Sequence, residues 1–236
     1  MPDNFLSISK AIGERRDAGY LAVLAEIKTR RHDGFDLLRD RDVGDIAASY
    51  ARGGASAISV VTGKWFGGSI DLLDAIAKRD LGLPFLRKDF IRNVQALRES
   101  KERGASAVLL TRQILGADRF ADLVAAAHEL GIEPFVEVAT AEELADVTSG
   151  YDGLIAINNA DIATREATGE GIGRSLEMRI DEGDRIWVSA SKVDDPGDVT
   201  RLAAAGFDGV LVGTHLMMAN EPESATAALV TAGKRA

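Results

Sequence analysis

The amino-acid sequence predicts an α/β protein: a (β/α)8 TIM barrel, one domain over residues 1–236, with a short helical arm at its start. Three observations predict it. Short apolar runs alternate with amphipathic stretches, the runs number eight, and an internal repeat has the spacing of an eightfold unit. Before Leu21 the segment MPDNFLSISKAIGERRD reads as a short helix or arm capping the barrel bottom. The apolar runs then read as buried parallel strands at residues 21–27, 57–61, 84–87, 107–111, 133–138, 153–157, 185–189 and 209–212. Between them lie helical patterns, in order VGDIAASYARGG, SIDLLDAIAKRD, VQALRESKERG, RFADLVAAAHELG, TAEELADV and PGDVTRLAAAG, several closed by glycine. The segments GGASAISVV (from Gly53), RGASAVLLT (from Arg103) and AGFDGVLVG (from Ala205) look alike, each turning on glycine into an apolar run. Their starts lie about 50 and then about 100 residues apart, two and four units of roughly 25 residues. Eight units favour a closed barrel over an open doubly wound sheet, the structural runner-up.

Composition narrows the function. With 46% hydrophobic and 28% charged residues the chain is ordinary for a globular protein, so neither a disordered nor a membrane class is expected. No apolar run approaches the roughly 20 residues a bilayer requires, and the N-terminus lacks a signal-peptide core, so a cytoplasmic location is expected. The absence of cysteine excludes disulfides, thiolate metal sites and a cysteine nucleophile. His32, His128 and His215 are not spaced as paired ligands, and no metal is expected. A net charge of −9 opposes binding to nucleic acid or to an anionic membrane surface. A small anionic partner must therefore meet a local basic pocket.

Such barrels carry their chemistry at the C-terminal ends of the strands. There the sequence gathers Glu26 and Lys28, Arg87 and Lys88, Glu137, Asn158 and Asn159, then Ser189, Ser191 and Lys192, a set expected to converge. Residues two apart share a strand face, which puts Glu26 and Lys28 together in the barrel mouth and sets Lys88 opposite Glu137. Lys28, Arg30, Arg31, Lys64, Arg87, Lys88, Arg112 and Lys192 follow strands in an acidic protein, the pattern of a site for a negatively charged small molecule. Arg30, Lys64 and Arg112 read more simply as solvated loop charges. Lys88, between FLR and DF, reads as a proton donor or a nucleophile toward a carbonyl. Gly213 and Thr214 offer backbone N–H groups for a phosphate, and Trp65 or Phe66 in KWFGGS an aromatic wall. His32 and His215 are given packing or surface roles.

In their order and spacing, AEIK (from Ala25), GGASAISVVT, WFGGS, LRKDFI (from Leu86), GASAVLL, VEV (from Val136), INN (from Ile157) and VLVGTHLM resemble indole-3-glycerol phosphate synthase from residue 23 to residue 222. The resemblance implies a carboxy-lyase of tryptophan biosynthesis. It closes an indole ring on 1-(2-carboxyphenylamino)-1-deoxyribulose 5-phosphate with loss of carbon dioxide and water, and uses no cofactor. By motif, Lys88 resembles the general acid for ring closure and Glu137 the acid-base group for dehydration. Lys28, oriented by Glu26, resembles the second lysine, and Asn158 the positioning amide. Ser191, Gly213 and Thr214 match the phosphate cradle, Phe66 the aromatic wall.

Departures accompany the match. The family's SPS after the first strand is here Arg31, His32 and Asp33. Its NNR arginine is Ala160, and in place of its SESGI the chain has SASKV, with Ala190 and Lys192. Arg31 and Lys192 read as compensating cations beside the phosphate, or as marks of a paralogue acting on another phosphorylated ketose or amino-sugar. A Schiff-base reaction through Lys88 and a noncatalytic metabolite-binding barrel complete the alternatives.

Overall fold

The computed structural model describes residues 6–161, 171–180 and 184–235. Eight parallel strands among them close into a barrel: β1 (Ala22–Ile27), β2 (Ala57–Val61), β3 (Phe85–Lys88), β4 (Ala107–Thr111), β5 (Glu133–Val138), β6 (Leu154–Asn158), β7 (Ile186–Ala190) and β8 (Gly209–Val212), with β8 paired back to β1. Helices α1 (Ile8–Asp17), α2 (Val43–Arg52), α3 (Asp71–Ala77), α4 (Val94–Glu102), α5 (Ala117–Leu130), α6 (Ala141–Thr148), α7 (Gly173–Met178), α8 (Pro196–Ala204), α9 (Thr214–Met218) and α10 (Pro222–Ala232) accompany them. Among the described residues no helix is long and apolar enough to cross a membrane.

β2, β4, β5 and β8 fall at the bounds read from the sequence, β1 starts one residue later, and β3, β6 and β7 are displaced by one residue toward the C-terminus. The displacement has a simple cause. Apolarity stops at Lys88 and Asn158, but ladder pairing is a backbone property, and it continues through both in the registers Val61↔Lys88 and Asn158↔Ala190.

Alternation of side chains builds two cores. Val23, Ile27, Ile58, Val60, Val108, Val136 and Val210 face the helices, while Ala22, Leu24, Leu86, Leu109, Phe135, Val188 and Leu211 fill the barrel interior. Ile8 and Ile12 of α1, both without solvent exposure, join the inner cluster. Glu133, at the start of β5, accepts hydrogen bonds from the backbone N–H of Ile8 (2.8 Å) and Ser9 (3.0 Å) and from the Ser7 hydroxyl (3.0 Å). A carboxylate at the first turn satisfies otherwise unpaired donors and suits the positive end of the helix. The arm therefore plugs the floor of the barrel, at the N-terminal ends of the strands.

The three look-alike segments are one device used three times. Gly54, Gly104 and Gly206 hold φ of +90°, +85° and +81°. In each case the next residue donates its N–H back into the helix: Ala55 to Tyr50, Ala105 to Ser100 and Phe207 to Leu202. This is the Schellman termination, which favours glycine because a Cβ in the left-handed region is strained. The following residue then enters the sheet. Ser106 accepts a hydrogen bond from the Phe85 N–H (3.2 Å), and Asp208 from the Trp187 N–H (2.9 Å). At Gly104 an added Cβ meets only Ala77, at 3.8 Å, so substitution there isolates the conformational cost. Gly104→Ala is expected to lose about 1–2 kcal/mol in urea unfolding, with the denaturant slope unchanged.

Candidate active site

Along β1 the inward series Ala22, Leu24 and Glu26 continues to Lys28, along β3 Leu86 leads to Lys88, and Glu137 and Asn158 occupy the matching positions of β5 and β6. All five polar side chains are buried, Glu26 at 2% exposure and Lys88 at 8%. Glu26 lies between the two lysines, with Lys88 Nζ at 2.9 Å from Oε2 and Lys28 Nζ at 3.5 Å from Oε1. The sequence led to the expectation of a Glu26–Lys28 pair. The structure adds Lys88, in the shorter of the two contacts. Two ammonium groups and a carboxylate held out of water interact strongly, and the arrangement is stable only while the carboxylate stays between them.

Glu137 is joined across β4 and β5, where the Thr111 hydroxyl donates to Oε1 at 3.4 Å. Asn158 uses Oδ1 to accept from the Ala160 N–H at 3.0 Å, which fixes its amide at the end of β6. Phe66 sits 9% exposed in a short 3₁₀ turn. Its carbonyl accepts from the Thr29 hydroxyl (2.7 Å) and the Arg30 N–H (3.0 Å), and its ring centroid lies 5.6 Å from Lys28 Nζ. Beside it Trp65 stacks on Phe90, with centroids 4.6 Å apart.

A cavity of about 140 Å³ opens at this end of the barrel, lined by Glu26, Lys28, Arg31, Ser191, Lys192, Gly213 and Thr214 among others. Lys88 meets this cavity through Glu26 and Phe66 through Lys28, whereas Glu137 and Asn158 stand outside its lining. Ser191 and Lys192 have φ of +64° and +56°, two successive non-glycine residues in the left-handed region. Such backbone is costly and persists where the surroundings enforce it, often at ligand sites. Arg31 is already engaged: its guanidinium donates to Asp33 from Nε (3.0 Å) and Nη2 (2.5 Å) and lies over Phe35. That hydrogen bonding, helped by the Phe35 N–H, holds the Asp33 carboxyl well below the usual carboxylate range.

Gly213 is required for a reason its turn alone does not reveal. A Cβ there would stand 2.2 Å from Glu26 Oε1. Gly213→Ala is therefore expected to push the Glu26 carboxylate off the lysines and lower turnover at least tenfold, read by steady-state kinetics, with the barrel fold intact by circular dichroism.

Three residues expected in the mouth are not there, because each alternates with an inward neighbour and faces the helices. Arg87 turns toward α4, donating to the hydroxyls of Thr62 (3.1 Å) and Ser100 (3.1 Å) and pairing with Asp89 (3.3 Å). Asn159 Nδ2 donates to the Ser189 hydroxyl (3.1 Å) and the Ala190 carbonyl (3.0 Å), while its Oδ1 accepts from the Ser175 N–H, so Asn159 and Ser189 clamp β6, β7 and α7. Arg112, read from the sequence as a solvated loop charge, is paired with Asp146 at 2.6 Å.

Other residues were missed by the sequence reading. Arg174 of α7 donates from Nη1 to the carbonyls of Asn158 (2.6 Å) and Ala160 (3.1 Å), bracing the end of β6, and no local pattern announces it. His32 and His215 both line the cavity. The signal for them was present, since each follows a strand end just as the two lysines do. Among the described residues no group of three or more His, Asp or Glu is arranged to hold a metal ion.

The family model described as indole-3-glycerol phosphate synthase matches residues 2–229. Indole-3-glycerol phosphate synthase of Albidiferax ferrireducens is 40% identical over 214 residues, 90% of this chain and 80% of that one. Indole-3-glycerol phosphate synthase 2 of Ralstonia nicotianae is 37% identical over 218 residues, 92% of this chain and 80% of that one. Among solved structures, 3-hexulose-6-phosphate synthase from Salmonella typhimurium superimposes with a TM-score of 0.69 at 15% identity, covering 90% of this chain and 98% of its own, a likeness of fold alone.

Proposed function

The chain belongs to the indole-3-glycerol phosphate synthase family, and from that premise we propose that its barrel mouth closes the indole ring of 1-(2-carboxyphenylamino)-1-deoxyribulose 5-phosphate, releasing carbon dioxide and water, as a carboxy-lyase of tryptophan biosynthesis. The observation that carries this reading is the buried Lys28–Glu26–Lys88 constellation beside a cavity with cationic lining. In the proposed sequence the ring carbon bearing the carboxylate attacks the ketose carbonyl while Lys88 delivers a proton to the carbonyl oxygen. Carbon dioxide then leaves, its bonding electrons returning to the ring. Glu137 supplies the proton on which the new hydroxyl departs as water, and loss of a proton from carbon completes the indole. Glu26 holds both ammonium groups in place, Lys28 faces the substrate's carboxylate and hydroxyls, and Asn158 positions the sugar. Ser191, Lys192, Gly213 and Thr214 receive the phosphate, with Arg31 at the rim and Phe66 against the aromatic ring. Incubating the purified chain with this substrate is expected to give indole fluorescence. No product at high enzyme concentration would reject the reading.

A second reading rests on Ala160 and Ala190, both fully buried, where the family carries arginine and glutamate, and on Arg31 being held by Asp33. It makes the chain a paralogue acting on a different phosphorylated ketose or amino-sugar. On that reading Ala160→Arg with Ala190→Glu raises synthase turnover, and an unchanged rate counts against it.

A further inference from the structure

We propose that His32 and His215 are titratable ligands of the anion-binding cavity, so that the protein grips a doubly charged anion more tightly as their imidazoles gain protons. The inference rests on reading that cavity as the phosphate subsite. His32 enters from the loop after β1 and His215 from the first turn of α9, and both line the same space of about 140 Å³ as Ser191 and Lys192. Neither imidazole has a hydrogen-bond partner among the described residues, so their ring nitrogens are not committed to the protein. The charged groups that face them divide by element. From β1 come Glu26 and Lys28, already paired with each other. From the loop that follows come Arg31 and Asp33, also paired. From the loop after β7 come Lys192 and Asp194, both lining the cavity. Glu26 is shared by Lys28 and by Lys88 from β3, Arg31 is held by Asp33, and Lys192 and Asp194 are the further fixed charges, which leaves the two imidazoles as the groups able to change the balance.

Imidazole is the side chain among these types whose ordinary pKa, about 6.5, lies in the neutral range. Proton and anion binding to one cavity are linked: an anion that stabilises the imidazolium raises its pKa, and by reciprocity protonation raises the anion's affinity. The added affinity is complete below the pKa of the free protein and is lost as pH rises through the raised pKa of the complex.

Inorganic sulfate is the probe, because it stays doubly charged over this range whereas a phosphate monoester titrates. The chain has only three histidines, and His128, exposed near the end of α5, is an internal reference. In histidine-ring NMR titrations of the full chain, sulfate is expected to raise the midpoints of His32 and His215 by about one unit each and leave His128 where it is. Sulfate affinity, measured by calorimetry, is expected to rise roughly tenfold per histidine from pH 8 to pH 5.5. His32→Asn or His215→Asn removes that histidine's share of the pH dependence, whereas Lys192→Ala weakens binding at every pH and keeps the slope. If sulfate binds and inhibits turnover while both midpoints stay fixed, the imidazoles are not ligands and the inference is overturned with the phosphate reading intact. If sulfate neither moves a midpoint nor competes with substrate, both fall.

Discussion

Lys88→Ala is expected to lower kcat by about 10²–10⁴-fold while KM changes little, measured by indole fluorescence with the carboxyphenylamino ketose phosphate. The lysine is buried at a strand end where its ammonium contacts the Glu26 carboxylate. A proton donor serves the transition state more than the bound ground state, so its removal falls on turnover. Lys88→Arg keeps the charge and the contact with Glu26 but offers a planar group that does not give up its proton at neutral pH. It is expected to be nearly as impaired as the alanine variant, which separates proton donation from simple charge. Turnover within tenfold of the parent in either variant would remove Lys88 from the chemistry.

Glu26→Gln is expected to cost about 3–5 kcal/mol of stability and to lower Tm by about 6–20 °C. Glu26 is 2% exposed and lies between two ammonium groups. An amide of the same shape leaves those cations facing one another without their carboxylate. The combined variant Glu26→Gln with Lys88→Met is expected to recover part of the loss, because one of the two buried cations that met Glu26 is gone. If the losses of the single variants simply add, the two residues are energetically independent. Turnover should fall in Glu26→Gln as well, since the carboxylate that sets the lysine positions is lost.

The path from sequence to structure was clearest where a single physical rule decides. The period of strand side chains put Glu26 and Lys28 together in the mouth and Lys88 on the inward side, and glycine punctuation marked Gly54, Gly104 and Gly206 as helix stops, each at positive φ. Gathering every polar residue at the strand ends, without separating odd from even positions, wrongly drew Arg87, Asn159 and Ser189 into the mouth. Each of these is a polar residue on the helix-facing side, satisfied by partners distant in sequence, such as Ser100 for Arg87 and Ser175 for Asn159. Which carboxylate a lysine selects is likewise a distance across the barrel, and the contact of Lys88 with Glu26 crosses β2 without any trace in local sequence. The close approach behind Gly213 belongs to the same class, because it depends on where the side chain of Glu26 ends.

The stopper formed by Ile8 and Ile12 makes the lumen a blind alley. On the reading proposed above, substrate and products use the opposite, C-terminal end of the strands, where Lys192 and the two histidines line the cavity. Traffic in both directions then shares one end of the barrel, and the order in which products depart is set there rather than at the floor.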